Sequence, residues 1–190
     1  MGMIQTLKVI NRMEADGIIG RYAIGGAFAA AYYVEPTLTE DLDILLSFEG
    51  GANQGRSGLV SLQPIFSYLK DRGYAEFQKG GVVVEGWPVE FIPVADDLDA
   101  DALAQAKEVD VDENSALVRT RVLRAEHIVA ICLRVGRPKD FIRITQFLEG
   151  NVLEMSLLCA ILNDHGLAKS WQSFCFRNGI SDPCRLSPGT

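Results

Sequence analysis

Asp41 and Asp43 stand two residues apart at the head of the apolar run DLDILLSF. On an extended strand alternate residues face the same way, so both carboxylates project from one face, about 7 Å apart along the chain. Two carboxylates so placed need a proton or a cation to offset their repulsion. Mg²⁺ suits such a pair, because it takes oxygen ligands, keeps several waters and is commonly held by one or two carboxylates plus substrate phosphates. Glu90, inside Val89-Glu90-Phe91-Ile92, offers a third carboxylate from a second apolar stretch. On an edge strand it would simply face solvent. Gly25 and Gly26 close RYAIGG ahead of the alanine-rich AFAAAYY. Glycines between a strand and a helix let the backbone approach a phosphate closely, and the same pair also serves as a plain tight turn. Acidic pairs recur at Asp97 with Asp99, Asp99 with Asp101 and Asp110 with Asp112, so only the apolar context distinguishes Asp41 and Asp43.

Hydrophobic spacing defines the elements that must carry these groups. Ile4, Leu7, Ile10 and Met13 recur every three residues and predict an amphipathic helix over 3–15, ended by Asp16 and Gly17. RYAI reads as a strand, AFAAAYY as a helix that Pro36 stops, and DLDILLSF as a buried strand. GGANQGRSG, residues 50–58, is a glycine-rich loop without the GK[ST] ending of a P-loop. Residues 59–72 read as a helix with Leu62, Ile65, Phe66 and Leu69 on one side. YAEFQ, GVVVEG and WPVEFIPV form an antiparallel meander, and a last strand falls near 115–120. DLDADALAQAKE, residues 97–108, matches four acidic positions of an EF-hand loop, but Ala102 occupies the place of the obligatory glycine, so an acid-capped helix is expected. From Arg124 onward HIVAICLRV, FIRITQFLE, VLEMSLLCAIL and WQSFCF read as helices, and the segment after Gly179, with Pro183 and Pro188, is expected to fray. The expected organisation is an α/β (α+β) domain over 1–121, a helical segment over 122–178 and a tail over 179–190.

At 190 residues, 48% hydrophobic and 23% charged, the composition is that of one globular domain and excludes disordered and collagen-like classes. The 18 basic and 25 acidic residues give a net charge of −7, which opposes a generally basic nucleic-acid or membrane surface. Seven cations nevertheless cluster within 119–143: Arg119, Arg121, Arg124, Arg134, Arg137, Lys139 and Arg143. Cys132, Cys159, Cys175 and Cys184 form no CxxC pair and are expected to be reduced. His127 and His165 belong to no metal-binding pair and are expected to be structural. Without a leader-like N-terminus or a long apolar run, the chain reads as soluble and cytoplasmic, with no membrane partner.

IGGAFAAAYYVEPTLTEDLDILL resembles the hG[GS]…Dh[DE]h signature of the DNA polymerase β-like nucleotidyltransferase superfamily. Ile24, Gly25 and Gly26 match its first part, Asp41, Leu42, Asp43 and Ile44 its second, and VEF at 89–91 its third-carboxylate element. RAEHIVAICLRVGRPKDFIRITQFLE is similar to the "EhLiamKL…gRpKDxxDi" segment of AbiEii-like toxins and related bacterial nucleotidyltransferases, with Lys139 and Asp140 on the KD. The resemblance spans roughly residues 20–150. Departures are a long spacing from Gly26 to Asp41, Cys132 in place of the KL lysine, Arg143 in place of the second aspartate, and Leu38 where an arginine is common. The resemblance implies a mixed, mostly antiparallel sheet flanked by helices, and transfer of a nucleoside monophosphate from an NTP to an acceptor hydroxyl with release of pyrophosphate. It implies that Asp41 and Asp43 bind the Mg²⁺ (or Mn²⁺) holding the triphosphate, that Glu90 completes a second metal site and helps to activate the acceptor, and that Gly25, Gly26 and Lys139 contact the nucleotide. RNA or protein is the acceptor the resemblance suggests. A silent member of the fold acting as a binding partner in a toxin–antitoxin pair, and an enzyme like the antibiotic nucleotidyltransferases, stand as alternatives.

Overall fold

The computed structural model describes residues 2–35, 39–48, 60–113 and 116–185; the 50–58 loop, Pro36, Leu38 and the last five residues lie outside them. The chain divides into two compact units, Met1–Ala31 with Pro36–Leu123, and Tyr32–Glu35 with Arg124–Thr190.

The first unit runs α1 (Met3–Ala15), β1 (Tyr22–Ile24), α2 (Gly26–Ala30), β2 (Leu42–Leu46), α3 (Gln63–Asp71), β3 (Phe77–Gln78), β4 (Gly81–Val84), β5 (Trp87–Pro93), α4 (Asp97–Ala104), β6 (Lys107–Glu113) and β7 (Ala116–Val122). Its sheet has the order β3-β4-β5-β2-β1-β7-β6. The β1·β7 and β2·β5 pairings are parallel, the others antiparallel, so the expected mixed, mostly antiparallel sheet with flanking helices is present. Ile4, Leu7, Ile10 and Met13 of α1 are all buried, as their spacing requires. Tyr22 fixes β1 between neighbours. Its hydroxyl donates to Asn11 Oδ1 of α1 at 2.7 Å and lies 3.0 Å from Thr120 Oγ1 of β7. Burial pushes that hydroxyl up to about 12, against the opposing Thr120 hydrogen bond, so it stays a neutral donor at physiological pH.

The EF-hand-like stretch is helical over Asp97–Ala104 only, its last two residues opening β6: Asp96 caps α4 by accepting from the Asp99 amide at 3.0 Å, and Asp99 accepts from the Ala95 amide at 3.2 Å. β6 was not anticipated from the sequence. Its KEVDVDE alternates acids with only two valines, and it occurs at the sheet edge, where charged residues discourage pairing with another chain.

The second unit contains α5 (Ala125–Val135), α6 (Pro138–Glu149), α7 (Met155–Asp164) and α8 (Ala168–Arg177). Ile128, Val129 and Leu133 are buried, and Ile131 half-buried. Gly136, at φ 70°, takes the left-handed position that ends α5. Glu126, buried in the first turn of α5, accepts from the Glu154 amide at 2.8 Å and so ties the starts of α5 and α7 together. No helix among the described residues is long and apolar enough to cross a membrane.

Two expectations for this unit need correction. Cys159 and Cys184 are joined by a disulfide with a Cα–Cα distance of 5.2 Å, so the cysteines are not all reduced thiols. Residues 180–185 are also held rather than frayed, because Asp182 Oδ1 accepts from Trp171 Nε1 at 2.9 Å and from the Cys184 amide at 3.0 Å. Cys132 and Cys175 are free and buried. Burial pushes the Cys175 thiol up to about 11, so at neutral pH it stays protonated and is a poor nucleophile. Since the bridge spans 25 residues, reduction by dithiothreitol is expected to cost about 3 kcal/mol. A melting curve with and without reductant checks this, and Cys184→Ser should reproduce the reduced curve.

Candidate functional site

β2 lies inside the sheet, parallel to β5 on one side and antiparallel to β1 on the other. Leu42, Ile44, Leu45 and Leu46 are buried accordingly, and Asp43 alone in this strand is half-buried. The β2·β5 register places Leu42 beside Val89 and Asp43 beside Glu90. Neighbouring strands are about 4.8 Å apart, so the two acids stand side by side on one face. Glu90 is exposed, yet β5 is flanked by β4 and β2. An edge position therefore does not account for this acid. Asp41 immediately precedes β2, half-exposed, and its Oδ1 accepts from Thr39 Oγ1 at 2.8 Å.

The glycine pair is built against Asp43. Gly25, the N-cap of α2, donates its amide to the Asp43 carbonyl at 2.9 Å. That amide is spent within the fold and is not available to a phosphate. Gly26 has φ +58°, and a Cβ there would lie 2.6 Å from Asp43 Cγ and closer still to Oδ2. Only glycine fits both the dihedral and the approach. A Cβ on Gly25 would meet Leu123 Cδ1 at an ordinary 3.5 Å. The hG[GS] element thus has a packing meaning of its own: it brings the backbone leading into α2 against the second carboxylate of D-x-D.

The donor set is oxygen-only, three carboxylates from the β2 and β5 region, which fits a hard cation and not a thiolate- or imidazole-seeking metal. The expected convergence of Asp41, Asp43 and Glu90 on one ion is not met: among the described residues no group of three His, Cys, Asp or Glu is spaced to share an ion, and the register brings together only Asp43 and Glu90.

Lys139 belongs to the second unit, exposed in the first turn of α6. Its neighbour Asp140 has a structural role. It is buried and accepts from Arg137 Nε at 2.8 Å, Arg137 Nη2 at 3.1 Å and the Arg137 amide at 3.1 Å, forming a capping box. Burial raises its pKa, but the hydrogen bonds and charge of Arg137 outweigh that effect and leave it below the ordinary carboxylate range. A carboxyl depressed in the folded state contributes stability above its unfolded pKa of about 3.9 and loses it as pH falls through the lower folded value. Asp140→Ala is expected to cost about 1–2 kcal/mol at pH 7, with the gap from wild type narrowing in melting curves as pH falls below the unfolded value of about 3.9.

Arg143 of α6 and Cys132 of α5 meet in space, Arg143 Nη1 approaching Cys132 Sγ at 4.0 Å. Sequence reading named both positions but had no means of pairing them. Of the seven clustered cations, Arg119 pairs with Asp110, Arg121 with Glu14, Arg124 with Glu126 and Arg137 with Asp140, each inside its own unit. Most of the local positive excess is neutralised where it arises.

No protein-family model matches the chain, and no curated protein matches it in sequence. Among solved structures it is similar to an antigenic nucleotidyltransferase-like protein from Paracoccidioides brasiliensis, at 15% identity over 79% of this chain and 77% of that one, with a TM-score of 0.44. It is similar also to the antibiotic-resistance factor ANT(2'')-Ia, at 14% identity over 93% and 92%, with a TM-score of 0.42. A third is CdnC of E. coli MS115-1 in complex with HORMA-deltaN, at 15% identity over 92% and 61%, with a TM-score of 0.33. The site assignment rests on the residues described above.

Proposed function

We propose that the chain is a metal-dependent nucleotidyltransferase that moves a nucleoside monophosphate from an NTP to a hydroxyl acceptor. The observation that carries this reading is the register of two interior strands, which sets Asp43 beside Glu90 on a face where Gly26 leaves no room for a side chain. Asp43, half-buried within a strand whose other residues are buried, is the acid whose position calls for a ligand or partner. A divalent cation such as Mg²⁺ or Mn²⁺, bound at the Asp43 and Glu90 pair with its remaining positions left to water and substrate, would supply positive charge against the triphosphate and the charge developing in the transition state.

The chain's own residues then have separable tasks. Asp41 and Asp43 fix the donor end of the site, Asp41 being oriented by Thr39. Glu90, exposed on the same face, takes the proton of the acceptor hydroxyl as its oxygen bonds to the α-phosphorus and the bond to pyrophosphate breaks. Gly26 supports the reading through its close approach to Asp43, whereas Gly25 acts by holding the strand. Lys139 is the candidate cation for the triphosphate in the second unit.

On the helical motif we place the chain nearest the AbiEii-like enzymes. The internal pairing of four of the seven cations argues against RNA as the acceptor and leaves a protein or small-molecule hydroxyl. The test is pyrophosphate release from each NTP, with Mg²⁺ or Mn²⁺, in the presence of RNA, protein and aminoglycoside-type acceptors. Metal-dependent release with one acceptor class is expected. Absence of release across the panel, with a stable complex to a partner protein, would favour the silent binding partner.

A further inference from the structure

Within the second unit, α5, α6 and α8 enclose an open cavity of about 440 Å³ that nucleotidyl transfer does not use. Its volume lies in the range of small-molecule sites. The floor is apolar: Leu133 of α5 and Phe174 of α8 are buried, Phe141 of α6 is half-buried, and the Phe141 and Phe174 rings stack with centroids 5.9 Å apart and planes at 22°. The rim is of opposite character. Lys169, Ser170 and Arg177 line it, all exposed, and among the described residues neither cation has an ion-pair partner. This is unlike Arg124 and Arg137 of the same unit, which face carboxylates. Lys169 and Arg177 are eight residues apart on α8, about 12 Å along its axis, and both line the same cavity. Two cations left unneutralised over an aromatic floor, in a chain of net charge −7, are complementary to an anion that carries a flat apolar body.

We propose that this cavity binds a small aromatic phosphomonoester, its ring laid against Phe141 and Phe174 and its phosphate gripped between Lys169 and Arg177. A phosphate suits the rim because its charge and three acceptor oxygens match two cations and the Ser170 hydroxyl. The apolar floor supplies the remaining contact area and excludes bare inorganic phosphate as a good ligand. The inference is independent of the Asp43 and Glu90 site and stands or falls without it.

The test is an NMR titration of the full chain with phenyl phosphate, and in parallel with phenol and with inorganic phosphate. Saturable shifts confined to α8 and the facing residues of α5 and α6 are expected, with phenyl phosphate binding at least about 10-fold tighter than either half. Lys169→Met combined with Arg177→Met changes only exposed side chains and should weaken phenyl phosphate at least about 10-fold while leaving phenol unchanged. Absence of saturable shifts on α8, or equal affinity in the double variant, would overturn the proposal.

Discussion

Replacing Asp43 by Asn is expected to lower nucleotidyl transfer at least about 100-fold, because loss even of a group that merely supports a metal ligand costs 10- to 100-fold. The fold should tolerate the change. Asp43 is half-buried beside Glu90, Asn is nearly isosteric, and removing one charge relieves repulsion across the β2·β5 register. The melting temperature should therefore stay level or rise slightly, the trade of stability for function usual at a site of clustered acids. Activity and melting are to be measured on the same preparation. Full activity in Asp43→Asn would remove this residue from the site, and a collapse of stability with lost activity would make it a structural acid instead.

Gly26→Ala carries the second large effect. The new Cβ would lie 2.6 Å from Asp43 Cγ, and the backbone would have to hold alanine at φ +58°. The left-handed conformation alone costs roughly 1–2 kcal/mol, and displacement of the Asp43 carboxylate adds to it, so a loss of at least about 2 kcal/mol is expected. In a chain of this size that is a fall of roughly 4–8 °C in the melting temperature. Gly25→Ala is the matched control. Its Cβ meets nothing closer than 3.5 Å and its φ of −114° is open to any residue, so it should be nearly neutral for stability. Equal effects at the two positions would contradict the packing role assigned to Gly26.

Much of this site was legible before any coordinates, for definite reasons. Asp43 and Glu90 stood out as single acids within apolar runs, and glycines at a strand-to-helix turn have few uses. Register was not legible. Nothing in either run alone sets Asp43 opposite Glu90 and not one residue away, and a one-residue slip would have turned Glu90 to the other face. β6 was hidden because an edge strand needs few apolar residues, so KEVDVDE carried more charge than strand signal. The Cys159–Cys184 bridge joins residues 25 apart with no motif spacing, and it depends on the tail turning back through Asp182 onto Trp171. The contact of Arg143 with Cys132 likewise needs two helices docked, although each residue was conspicuous as a departure.

The central claim is that the Asp43 and Glu90 face transfers a nucleotidyl group, and the position of a radiolabel tests it most directly. The 190-residue chain is incubated with Mg²⁺, an acceptor and an NTP labelled at either the α- or the γ-phosphate. Label from the α-position should appear on the acceptor and label from the γ-position in pyrophosphate, with both signals lost in Asp43→Asn and in Glu90→Gln. Transfer of the γ-label to the acceptor, or α-label transfer that persists in both variants, would contradict the account.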